Sequence, residues 1–152
     1  MPLSAYTKRI VAQKWMFRGG AFLAAANLLG VQRQNSEDAL MVSLHLLCQG
    51  MELFLKGLLS DKDYDLYYPK LKSFGHRLDF LADEVTKIYS APMMKAQLRC
   101  EFLALVLWYS RHWFRHESGL GFVAMSGAPS YFRTLRRMLA VVRVSRRSQT
   151  TP

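Results

Sequence analysis

The run from Glu37 to Leu58 constrains this chain more than any other stretch. Leu40, Leu44, Leu47, Met51, Phe54, Leu55 and Leu58 recur at helical spacing and form one continuous apolar stripe. Leu46 and Leu53 widen that stripe around the cylinder. A helix this apolar has to be buried against several neighbours, so it predicts a central helix in a helical core. Asn35 or Ser36 supplies an N-cap, and Glu37 and Asp38 suit the positive helix N-terminus.

The rest of the chain reads as helices arranged around that one. The first is expected from Ala5 to Leu29, with Val11, Trp15, Phe22 and Leu29 on one face and Gly19-Gly20 weakening or bending its middle. Gly30 to Asn35 is a polar connection. Asp61 to Gly75, containing DKDYDLYYPK, is expected to be a partly exposed loop. A third helix runs from His76 to Tyr89 with Leu78, Leu81, Val85 and Ile88 inward. Pro92 suits the first turn of a fourth helix, which carries the all-apolar FLALVLWY and ends near Arg115. A fifth begins near Pro129, with Tyr131, Phe132, Leu135, Met138, Leu139 and Val142 opposite Arg133, Arg136, Arg137, Arg143 and Arg147. No strand pattern and no internal repeat appears. The expected fold is all-α, with residues 1–147 as a single helical-bundle domain and 148–152 as a flexible tail.

The chain has 152 residues and a net charge of +10, with 51% hydrophobic residues. That composition supports a real core and excludes a disordered chain. The positive charge puts nucleic acid or an anionic membrane surface first among partners. Membrane attachment ranks lower, because the apolar side of the fifth helix is needed in the core. No apolar run is read as a bilayer span, and Asn27 interrupts the Gly19–Val31 segment that resembles a signal-peptide core. Cys48 and Cys100 both sit in apolar helical segments, as buried reduced thiols of a cytoplasmic protein would.

Two groups of polar residues could carry chemistry. His45, Gln49, Glu52 and Lys56 line one side of the central helix, with Glu52 four residues before Lys56 in the favoured ion-pair order. They form either a solvated face or a polar seam against another helix or a dimer partner. His76, after Gly75, either anchors its turn or takes part in proton transfer. In the segment RHWFRH, Arg111 offers a phosphate clamp and His116 a proton donor or acceptor. Those two roles suffice for metal-independent RNA cleavage. Positions five apart on a straight helix diverge by about 140°, so the pair converges only if the helix ends or two subunits share a site. His112 and His116 have metal-ligand spacing but no third ligand, so no metal is expected. The bland reading of the same residues, with Arg115, is a positive helix C-terminus.

The order GMELFLKGLL, FGHRL, an apolar helix, then Tyr109-x-Arg111 and FRHESG resembles the HEPN domain family over Ser36 to Gly119. The resemblance implies a four- to five-helix up-and-down bundle, usually dimeric, that handles RNA or nucleotides without a cofactor. Many HEPN ribonucleases carry an Arg followed four to six positions later by a His. Arg111, with His116 as acid or base and His112 in support, fits that pattern. Glu52, Lys56 and His76 would shape the cleft, and Arg115, Arg133, Arg136 and Arg137 would contact nucleic acid or an acidic partner. A second alignment reads Phe114 to Gly119 as a degenerate F-R-Y-P-x-T-G segment of non-nuclease relatives. It implies a non-catalytic module that binds a nucleotide or a partner such as a nucleotidyltransferase. The sequence leaves cutting and binding both open.

Overall fold

The computed structural model describes residues 3–32 and 37–89, together with positions 106 and 109. Among these residues 92% are helical and none lies in a strand. Helix α1 spans Ala5–Gln32 and α2 spans Glu37–Lys62. Three short segments follow: α3 (Tyr64–Tyr67), a 3-10 turn (Tyr68–Lys70) and α4 (Leu71–Phe74). Helix α5 covers Leu78–Tyr89. The expected fourth and fifth helices lie outside the described residues, except for Val106 and Tyr109, which are helical and buried.

Helices α1 and α2 form an antiparallel pair in unusually close contact. Ser43 Oγ donates to the Ala26 carbonyl at 2.7 Å. A Cβ added at Gly19 would lie 2.7 Å from the Gly50 carbonyl oxygen, and one at Gly57 2.9 Å from the Ala12 oxygen. Ala12, Gly19 and Ala26 therefore face Gly57, Gly50 and Ser43, small residue against small residue at every seventh position. That spacing keeps one seam in register along both helices. At Gly19 the backbone of α2 comes so close that an added Cβ would lie 2.7 Å from both the Gly50 oxygen and the Phe54 nitrogen.

This seam corrects the expected inward face of α1. The helix runs unbroken through Gly19-Gly20 to Gln32. Gly19 is there because α2 leaves no room for a side chain. The inward residues are Ala12, Met16, Gly19 and Ala26, while Val11, Trp15, Phe22 and Leu29 sit half-buried on the shoulder.

The central role of α2 holds. Leu44, Leu47, Met51, Phe54, Leu55 and Leu58 are buried and join Leu78, Leu81 and Val85 of α5 in one core. The segment Val42–Lys62, with 21 residues and a mean hydropathy of 1.2, is nevertheless long and apolar enough to cross a bilayer, contrary to the sequence reading. Its apolar window is 72% buried within the protein, as in a core helix. Cys48 is buried and unbridged.

The expected loop from Asp61 to Gly75 is instead a chain of helical turns. Asp63 caps α3 by accepting a hydrogen bond from the Leu66 amide at 3.0 Å. Tyr64 and Tyr68 stack with ring centroids 4.5 Å apart. Gly75 then takes φ +53°, a region costly for side-chain-bearing residues, and ends α4. The chain reverses there, and α5 starts at Leu78, two residues later than expected. His76 therefore belongs to the turn and not to the helix.

Candidate functional site

The polar stripe of α2 is an internal seam. Glu52 is only 5% exposed and Lys56 8%, on a helix otherwise packed with leucine. A charge in that setting needs partners, since desolvation would otherwise neutralise it. Glu52 has three. Its Oε1 accepts from Lys56 Nζ at 2.6 Å, one helical turn away. Its Oε2 meets His76 Nδ1 at 2.8 Å and accepts from the Tyr109 hydroxyl at 2.7 Å.

Burial pushes the Glu52 carboxyl upward, but the hydrogen bonds from Lys56, His76 and Tyr109 and the Lys56 charge outweigh it. The group therefore sits below its ordinary value and is ionised at neutral pH. A carboxylate only accepts hydrogen bonds, so His76 donates from Nδ1, which fixes the ring's tautomer. The ring packs edge-on to Tyr109, with centroids 5.5 Å apart and planes at 82°. The His76 side chain is 42% exposed, against 6% for Glu52. The carboxylate is thus sealed inside while the imidazole it holds extends to the surface.

Tyr109 closes the site from a second segment. Its hydroxyl also lies 3.2 Å from Gln49 Oε1. One hydroxyl proton serves one acceptor well, and the charged, nearer Glu52 takes it. Turning the Gln49 amide over would let its nitrogen donate to the tyrosine oxygen instead. His45 approaches the same ring, with centroids 6.0 Å apart. Cys48, one turn before Glu52, is raised well above its usual range by burial and then by the Glu52 charge, so it is a poor nucleophile.

Of the sequence-selected residues, Glu52, Lys56 and His76 come together at one carboxylate. Arg111, His112, Arg115, His116, Arg133, Arg136 and Arg137 lie outside the described residues. The sequence reading overlooked Tyr109 as a hydrogen-bonding hub. Its signal is a lone hydroxyl at the end of FLALVLWY, since a buried tyrosine usually finds a partner for its O–H. A groove of about 670 Å³ lined by Met16, Phe17, Phe54 and Leu58, among others, also lies along α1 and α2. Among the described residues its lining carries no titratable side chain.

Comparison with known proteins gives no match to any family model, any curated protein or any solved structure.

Proposed function

We propose that this chain is a HEPN-like helical bundle acting on RNA or nucleotides, with metal-independent RNA cleavage as its activity. The supporting observation is the 2.7 Å hydrogen bond from Tyr109 to Glu52. It joins three elements of the resemblance at one point: the Glu-x3-Lys of α2, the Gly-His turn and the segment that leads into Arg111. In this reading Arg111 clamps the scissile phosphate and stabilises its developing charge. His116 transfers the proton and His112 supports it. Arg115, Arg133, Arg136 and Arg137 hold the RNA backbone, consistent with a net charge of +10. The protein would be a cytoplasmic homodimer in which two subunits complete one site.

The test is incubation of the purified chain with single-stranded and structured RNA in EDTA, beside Arg111→Ala and His116→Ala. Cleavage by wild type and loss in both variants supports the reading. Equal inertness of all three at several concentrations eliminates it.

One observation favours a second reading, a non-catalytic module for a nucleotide or a nucleotidyltransferase-like partner. Lys56 spends its charge on Glu52 inside the fold, as a scaffold lysine would. Such a module would keep its ligand without cutting RNA, and would lose it when Arg133, Arg136 and Arg137 are replaced together.

A further inference from the structure

The groove along α1 and α2 is apolar inside and basic along one rim. Met16, Phe17, Gly20 and Ala21 of α1 and Phe54 and Leu58 of α2 line a volume of about 670 Å³. That is the size of a small-molecule site, and its lining is too poor in donors to hold a nucleotide. Gly20 keeps the groove open, since an added Cβ there would meet nothing within 4 Å. Phe17 stands in the wall at 80% exposure, and covering its ring would remove a large apolar area from water.

The charge follows from the helix period. At about 100° per residue, the lining passes around α1 from Met16 through Phe17 to Ala21, and Lys14 and Arg18 come about 20° and 60° beyond Ala21. Both are exposed, and neither pairs with a carboxylate among the described residues. Helical side chains lean toward the N-terminus, so Arg18 leans toward Lys14 and toward the Gln13 amide at that end of the groove. From Gln13 to Ala21 the helix rises about 12 Å. An apolar floor of that length, with two cations and an amide at one end, is complementary to an extended hydrocarbon chain that ends in an anion. It is a poor match for an α-helix about 10–12 Å across.

We propose that this groove binds a free long-chain fatty acid. The hydrocarbon lies on Met16, Phe17, Gly20, Phe54 and Leu58, and the carboxylate meets Gln13, Lys14 and Arg18. The proposal does not depend on the RNA reading and outlives its failure.

The experiment titrates the full chain into cis-parinaric acid, a fatty acid that fluoresces when its chain leaves water, at a concentration below micelle formation. Wild type should give a saturable rise with a dissociation constant on the order of 10 μM, reversed by oleate. Gly20→Leu places a side chain in the groove and should weaken binding by about tenfold or more, while urea unfolding stays cooperative. Phe17→Ala should weaken it by about threefold or more. Lys14→Gln and Arg18→Gln together should weaken binding of the acid by about fivefold and leave binding of its methyl ester unchanged. No saturable rise in wild type would overturn the proposal, and so would equal binding by wild type, Gly20→Leu and Phe17→Ala. A methyl ester bound by wild type as tightly as the acid would overturn it too. Co-sedimentation with phosphatidylglycerol vesicles, without binding of the free acid, would assign the face to a membrane surface and overturn it likewise. If Gly20→Leu does not unfold cooperatively, Phe17→Ala decides, because a ring 80% exposed contributes little to folding.

Discussion

Gly19 and Gly20 are neighbours on one helix, yet replacing each with alanine should change stability in opposite directions. A Cβ at Gly20 meets nothing within 4 Å. Gly20→Ala therefore gains helix propensity, worth about 0.5–1 kcal/mol. A Cβ at Gly19 meets the Gly50 oxygen and the Phe54 nitrogen, both at 2.7 Å, where ordinary contact begins at 3.4 Å. Both are backbone atoms, so no side-chain rotation relieves the clash. The helices must separate by roughly the 0.7 Å difference between those distances (3.4 − 2.7). A gap of that size forfeits a quarter to a half of each dispersion contact across the seam; over a few tens of contacts that is about 2 kcal/mol. After the propensity gain, Gly19→Ala should be destabilised by about 1 kcal/mol, within the usual range for overpacking. Urea unfolding followed by far-ultraviolet circular dichroism measures both variants against wild type. A Gly19→Ala midpoint at or above that of wild type would refute the close-packed seam.

Three further perturbations probe the site. Glu52→Gln leaves the Lys56 ammonium buried without a counter-ion and should cost about 3 kcal/mol at neutral pH. Because the folded Glu52 carboxyl sits below its unfolded value, its stabilisation is full above about pH 4.3 and fades as pH falls through the folded pKa. Chemical-denaturation curves of wild type and Glu52→Gln should therefore converge in acid; a constant gap down to pH 2, well below about 4.3, would contradict this. Tyr109→Phe removes a hydrogen bond to a charged acceptor and should cost about 2 kcal/mol, read as a lowered midpoint at unchanged m-value. Gly75→Ala forces a side chain into the φ +53° backbone and should cost about 2 kcal/mol. Thermal melts equal to wild type would show that the turn tolerates a side chain.

The sequence conveyed this fold unevenly, for physical reasons. The stripe on α2 was legible because Leu44, Leu47, Met51, Phe54, Leu55 and Leu58 are all used inward at helical period. The α1 face was not, because its contact is made by the absence of side chains. Scanning for large apolar residues selected Trp15 and Phe22 and passed over Ala12, Gly19 and Ala26. The seven-residue spacing of small residues in both helices was the available signal. The turns from Tyr64 to Phe74 were hidden because four-residue helices have too little length to show a period. At the site, Glu52, Lys56 and His76 could be selected from sequence, but whether the stripe faced water or protein could not. That depended on Tyr109, 57 residues beyond Glu52, approaching from another segment.

The most direct test of the site is the protonation of the His76 ring, because the hydrogen bonding at the Glu52 carboxylate depends on it. Long-range ¹H–¹⁵N correlation spectra of imidazole-labelled protein, recorded in mildly alkaline solution, distinguish the two neutral tautomers. Wild type should carry a proton on Nδ1 and none on Nε2, with that preference weakened in Glu52→Gln. A ring protonated on Nε2, or one unaffected by the Glu52 substitution, would contradict it.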